Sequence, residues 1–137
     1  MYTTEQELVD IFLKESHYKE PWATFRFETE FNYCRGKTDI IAISPDNEVI
    51  ALEAKLSKWR TALQQAYRNR CFADKSYVLL PFSTAQTTVC HEHEFRKRGG
   101  GICTIVDNRI VILQEAVADE PIQPWLRNVA IQYAAGG

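Results

Sequence analysis

The hydrophobic positions of this chain change period several times, and each change predicts an element. Leu8, Ile11 and Phe12 recur at helical spacing after Thr4, and Thr4 with Glu7 has the spacing of a capping box, so a first helix starts near Thr4. Pro21 falls in the loop that follows. Phe25, Phe27, Phe31 and Tyr33 then alternate with Arg26, Glu28, Glu30 and Asn32, broken on the apolar side only by Thr29. That period of two predicts a half-buried strand. Two apolar runs, Asp39 to Ser44 and Glu48 to Lys55, flank Pro45-Asp46-Asn47, whose composition is that of a tight turn. The three segments read as an antiparallel meander.

Beyond Lys55 the period becomes helical, with Leu56, Trp59, Leu63, Ala66, Tyr67 and Arg70 on one face and Ser57 placed to cap it. Ser76 to Leu80, closed by Pro81, is short and almost wholly apolar, which suits an interior strand. A helical connection makes it parallel to the strand before it. A polar helix from about Thr84 to Arg98 stops at Gly99-Gly100-Gly101. Strands Ile102 to Val106 and Ile110 to Leu113 bracket Asp107-Asn108, and a last helix covers Trp125 to Tyr133. The expectation is one α/β domain over residues 1–137, with a mixed central sheet flanked by helices.

Composition narrows the class. The chain is 45% apolar and 25% charged, as in globular proteins, and no apolar run reaches the roughly eighteen residues of a membrane span. MYTTEQELVD is polar and acidic rather than signal-like, so the expected setting is cytoplasmic, without a membrane partner. A net charge of −2 announces no polyanion. Locally, Lys55, Lys58, Arg60, Arg68, Arg70 and Lys75 face a single acid, Asp74, and Arg96-Lys97-Arg98 forms a second basic cluster. Either is a solvated helix face or a phosphate-binding patch. Cys34, Cys71, Cys90 and Cys103 show no CxxC spacing. Cys90, His91 and His93 with Cys103 would offer zinc-type ligands, but the second well-spaced pair is missing, and buried thiols with a surface histidine pair are the ordinary reading.

The most informative stretch is Glu48 to Trp59, EVIALEAKLSKW. It ends an apolar strand with Glu53 and Lys55, which at i and i+2 of a strand point the same way. Counting from the Asp46-Asn47 turn makes Asp39 the cross-strand neighbour of Glu53. Two adjacent carboxylates share a cation or a proton, and Mg²⁺ favours such hard oxygen ligands. A lysine beside them suits phosphodiester hydrolysis. The plain alternative is a surface salt bridge, which contributes roughly 0–1 kcal/mol.

Thr38-Asp39, a spacer of thirteen residues, and Glu53-Ala54-Lys55 resemble the D…(D/E)xK signature of the PD-(D/E)xK nuclease superfamily, which includes restriction endonucleases, RecB-type nucleases and archaeal Holliday-junction resolvases. The resemblance implies a restriction endonuclease-like α-β-β-β-α-β core over about residues 4–81, with an accessory helix and strands over 82–137. It implies Asp39 and Glu53 as ligands of Mg²⁺, with Mn²⁺ as substitute, and Lys55 as catalytic lysine. EQELV is similar to the resolvase first-helix motif and makes Glu5 a third ligand, with Glu7 as rival. Several branches place a glutamine on the helix after the lysine; Gln64-Gln65 sit there, and Gln65 forms an i, i+4 polar pair with Asn69. The usual proline before the aspartate is Thr38 here. DNA is the implied partner, approached by Lys37, Lys58, Arg60, Arg68 and Arg70. So small a chain suggests a homodimer or a targeting protein partner. Two other readings stand beside this one. One is a catalytically silent member of the fold, acting with a DNA-processing or defence partner through Trp22, Trp59 or Trp125. The other is a zinc-dependent regulator built on the Cys90–Cys103 region.

Overall fold

A computed structural model describes residues 2–33 and 36–136; Cys34 lies outside the described residues. Helix α1 (Glu5–Ser16) is followed by strands β1 (Arg26–Tyr33), β2 (Gly36–Ile43) and β3 (Val49–Ala54). Then come α2 (Trp59–Arg68), β4 (Lys75–Leu79), α3 (Phe82–Thr88), α4 (Glu92–Arg98), β5 (Gly100–Val106), β6 (Arg109–Gln114) and α5 (Pro124–Ala134). The strands form one six-stranded mixed sheet in sequential order. β1, β2 and β3 are antiparallel, β3, β4 and β5 parallel, and β6 returns antiparallel to β5. The class is α/β, and the first six main elements run α-β-β-β-α-β, the order expected of a restriction endonuclease-like core.

Both faces of the sheet are covered, which is why β3 is buried along its whole length. Leu8, Val9 and Phe12 of α1 pack with Trp22 on Ile40, Ala42, Ile50 and Leu52. The other face is split. Leu126 and Ala130 of α5 cover Phe31, Ile41, Val49 and Ala51, while Ala62, Leu63 and Ala66 of α2 join Phe95 of α4 over Val78 and Ile102. Helix α2 crosses obliquely: Leu63 lies directly on Gly100 of β5, whereas Arg68 packs on Gly36 of β2. Its C-terminal end therefore arrives over the start of β2 and the end of β3.

Local chemistry accounts for the boundaries. The Thr4 hydroxyl accepts the Glu7 N–H, and Glu7 accepts from the Thr3 N–H and hydroxyl, which caps α1. Asn47, with φ 64°, makes the β2–β3 turn, and Asp107 and Asn108, with φ 49° and 60°, make the β5–β6 hairpin. The single polar helix expected near Thr84 to Arg98 is divided into α3 and α4 by a tight turn at Val89–His91. The Thr87 and Thr88 hydroxyls both donate to the Thr84 carbonyl, and this competing bonding precedes the break. Ser57 does not cap α2 with its side chain; Lys58 occupies the cap position and the Ser57 carbonyl accepts the Trp59 N–H.

The alternation in β1 is less regular than its sequence. Phe25 and Phe27 pack on the α1 side, but Phe31 and Tyr33 lie on the α5 side. The β1–β2 register passes from Thr29↔Ile40 to Phe31↔Thr38, leaving out Glu30 and Asp39, and Glu30 has φ 56°. Thr29, the break in the pattern, marks the point where the strand turns its faces over. Asp39 sits at the matching irregularity in β2. Among the described residues no helix is long and apolar enough to cross a membrane.

Candidate active site

The β2–β3 ladder runs to Ile40↔Leu52, so one more step along it brings Asp39 opposite Glu53. There β2 leaves its partner, and the Asp39 carboxylate accepts the Ala54 N–H at 2.9 Å. Asp39 is thus fixed against the end of β3 by the very N–H group that the departing strand releases. Glu53 is 1% exposed and lies close enough to Asp39 to share a hydrogen bond with it.

A polar network holds Glu53 from above. The Asn69 amide donates to Glu53 Oε2 at 2.7 Å, and Asn69 Oδ1 accepts from Thr38 at 2.8 Å and from Tyr33 at 2.6 Å. Arg68 donates to the Tyr33 hydroxyl at 3.1 Å and spreads over Gly36, where an added Cβ would lie 2.8 Å from its guanidinium carbon. Burial pushes the Glu53 carboxyl up to about 8; the Asn69 hydrogen bond opposes that rise, and the Asp39 charge and shared hydrogen bond add to it. In the metal-free protein, Glu53 therefore holds its proton at neutral pH.

Lys55 lies one residue beyond the end of β3, so strand alternation no longer fixes its direction. Its ammonium reaches Glu5 of α1 at 3.9 Å. Glu7 belongs to the α1 cap, which separates the roles of the two rival glutamates. The expected cluster of three carboxylates is not formed: among the described residues no three His, Cys, Asp or Glu side chains are grouped to hold a metal. Glu5, at the exposed first turn of α1, faces the lysine instead. Gln65 lies on α2 one helical turn before Asn69, the residue that caps the helix, and its Oε1 is buried without a hydrogen-bond partner.

The expected DNA-facing cations have varied surroundings. Lys58 is exposed, and Lys37, also exposed, reaches Glu30 at 3.2 Å. Arg60 is bonded to Glu94 at 2.8 Å and stacks on Trp59 at 4.3 Å. Arg70 is bonded to Asp119 at 2.9 Å, and Arg68 is engaged in the Glu53 network. Cys103 is buried under α1, Cys90 is exposed, and His91 stacks on Trp59, so the residues considered for zinc are not gathered into a site. Trp22 is buried and Trp125 is 57% exposed.

Sequence reasoning placed Asp39 beside Glu53 but did not foresee Tyr33 and Thr38 around it. The Thr38 hydroxyl donates a hydrogen bond that a proline at this position has no group to make. Asn69 carried the only advance signal, through its spacing from Gln65.

No protein-family model matches the chain, and no curated protein matches it. Among solved structures it is similar to SPO1766, a protein of unknown function from Silicibacter pomeroyi, with 18% identity and a TM-score of 0.63 over 83% of this chain and 74% of that one. Pyrococcus furiosus SfsA in complex with Ca²⁺ gives 9% identity and a TM-score of 0.42 over 84% of this chain and 62% of that one. The likeness to SPO1766 is one of fold.

Proposed function

We propose that this chain is a metal-dependent DNA nuclease of the PD-(D/E)xK type, with Asp39 and Glu53 as the ligands of Mg²⁺ or Mn²⁺. The observation that carries the reading is a buried glutamate paired with an aspartate at the end of a rigid strand, followed two residues later by a lysine. The donor set fits: Mg²⁺ commonly takes one or two carboxylates and completes its shell with water and phosphate. Each carboxylate also has an oxygen beyond those committed to Ala54 and Asn69. The buried, unpartnered Gln65 Oε1 on the same helical face as Asn69 adds a neutral oxygen suited to a water or an ion's hydration shell.

A bound divalent cation supplies Lewis-acid polarisation of the phosphodiester and a more acidic water. The residues of the chain do the rest. Asn69, fixed by Tyr33 and Thr38, orients Glu53, and the Ala54 N–H orients Asp39. Lys55, with three donors and a weak tie to Glu5, stabilises charge developing on the phosphate or holds the attacking water. Lys37 and Lys58 are the exposed cations nearest in sequence to the site residues and take the flanking backbone.

Incubation with plasmid, linear and branched DNA plus Mg²⁺ or Mn²⁺ tests the reading. Cleavage should fall at least about a hundredfold in Glu53→Ala and in Lys55→Ala, the scale of losing a positioned charge at a reacting centre. Cleavage undiminished in both variants removes the site assignment. A second reading, a silent binding or assembly module of the same fold, is favoured by the engagement of Arg60, Arg68 and Arg70 with other groups of the chain. It predicts DNA or protein binding with no divalent-cation binding and no cleavage under any of these conditions. Either reading accommodates a homodimer or a targeting protein.

A further inference from the structure

Leu56, the residue after Lys55, lines a cleft of about 370 Å³ together with Tyr2, Pro81, Phe82, Ser83 and Thr84. Its position follows from the chain path. Leu56 directly follows Lys55, and Tyr2 precedes α1, whose Glu5 meets the same lysine. Thr84 donates to the Leu56 carbonyl at 2.8 Å, tying α3 to the segment after β3. The walls combine two aromatic rings with an aliphatic side chain and a proline, and Ser83 adds an exposed hydroxyl. Phe82 is 37% exposed, although it opens a helix packed on the sheet. Tyr2 also lines a separate cleft with Glu7 and Asp10, whose carboxylates repel phosphate.

We infer that the cleft beside Lys55 takes one unstacked nucleobase adjacent to the phosphodiester that Lys55 addresses, and that the substrate class is DNA with an unpaired strand or end. The inference rests on the nuclease reading for the placement of that phosphate. A base in continuous duplex is stacked on both faces and cannot enter an aromatic-lined cleft of this kind. A free base gains a stacking surface from Phe82 and Tyr2, and such surfaces accept any base, because every base has a π-face.

The test uses a single-stranded oligonucleotide carrying one fluorescent aminopurine, titrated with the full chain in a chelator so that no cleavage intervenes. Binding should quench the aminopurine. Phe82→Ala should weaken binding about tenfold and abolish the quench, while Phe82→Trp retains both. Absence of quenching in the wild type, absence of binding, or equal affinity in Phe82→Ala overturns the inference. A parallel cleavage assay with Mg²⁺ separates this failure from failure of the nuclease reading. Quenching without cleavage of any DNA leaves the cleft and removes the nuclease. Lys55-dependent cleavage that is as fast on duplex as on single strands, and unchanged in Phe82→Ala, leaves the nuclease and removes the cleft.

Discussion

Glu53 is the residue on which the site turns, and its protonation makes two expectations concrete. In metal-free protein the folded state holds its proton up to about pH 8, while the unfolded chain releases it near the ordinary value of 4.5. Native protein therefore binds more protons than unfolded protein across that window, so stability falls as pH rises from about 4.5 to about 8 and then levels off. The change is on the order of a few kcal/mol, and urea unfolding of the wild type against Glu53→Gln measures it: the variant should lose this part of the slope. Asn69 supports a second expectation. Asn69→Ala strands the hydrogen-bonding groups of Tyr33, Thr38 and Glu53 and should cost about 2–4 kcal/mol, whereas an exposed change such as Gln64→Ala should stay within about 0.5 kcal/mol. The Asp39–Glu53 pair was legible in the sequence because an antiparallel turn fixes register by counting. The Asn69 network was not, because it joins residues 31 to 36 positions apart across two layers.

At the scale of elements, the meander and the helical crossover were readable because each has one period and a marked turn. Two features were not. The reversal of β1 at Glu30 leaves no trace beyond Thr29 in the alternation, since both halves of the strand find an apolar layer to face. The division of the helix between Phe82 and Arg98 depends on hydroxyl-to-carbonyl bonds that the polar pattern does not disclose. The meeting of β2 with α2 makes a prediction at this scale. Gly36 has φ 148° and lies under the Arg68 guanidinium. Gly36→Ala should strain the backbone and push Arg68 off Tyr33, lowering stability by about 1–3 kcal/mol in thermal unfolding. Arg68→Ala in that background should restore part of the loss, because the steric partner is then gone.

For the whole molecule, the sheet divides the chemistry by position. The junction of β2 and β3 carries the paired carboxylates, α1 brings Glu5 to Lys55, and α2 arrives obliquely to place Asn69 over Glu53. This convergence of three separate segments on one end of a strand buried on both faces gives the site a rigid support, which a surface ion pair would not require. The central claim is that Asp39 and Glu53 together bind a divalent cation. Calorimetric titration of Mn²⁺ into the protein at pH 7 tests it most directly. The account predicts one site per chain, proton release on binding as Glu53 gives up its proton, and loss of binding by at least about tenfold in both Asp39→Asn and Glu53→Gln. Binding that persists at full strength in both variants, or no binding by the wild type, would contradict it.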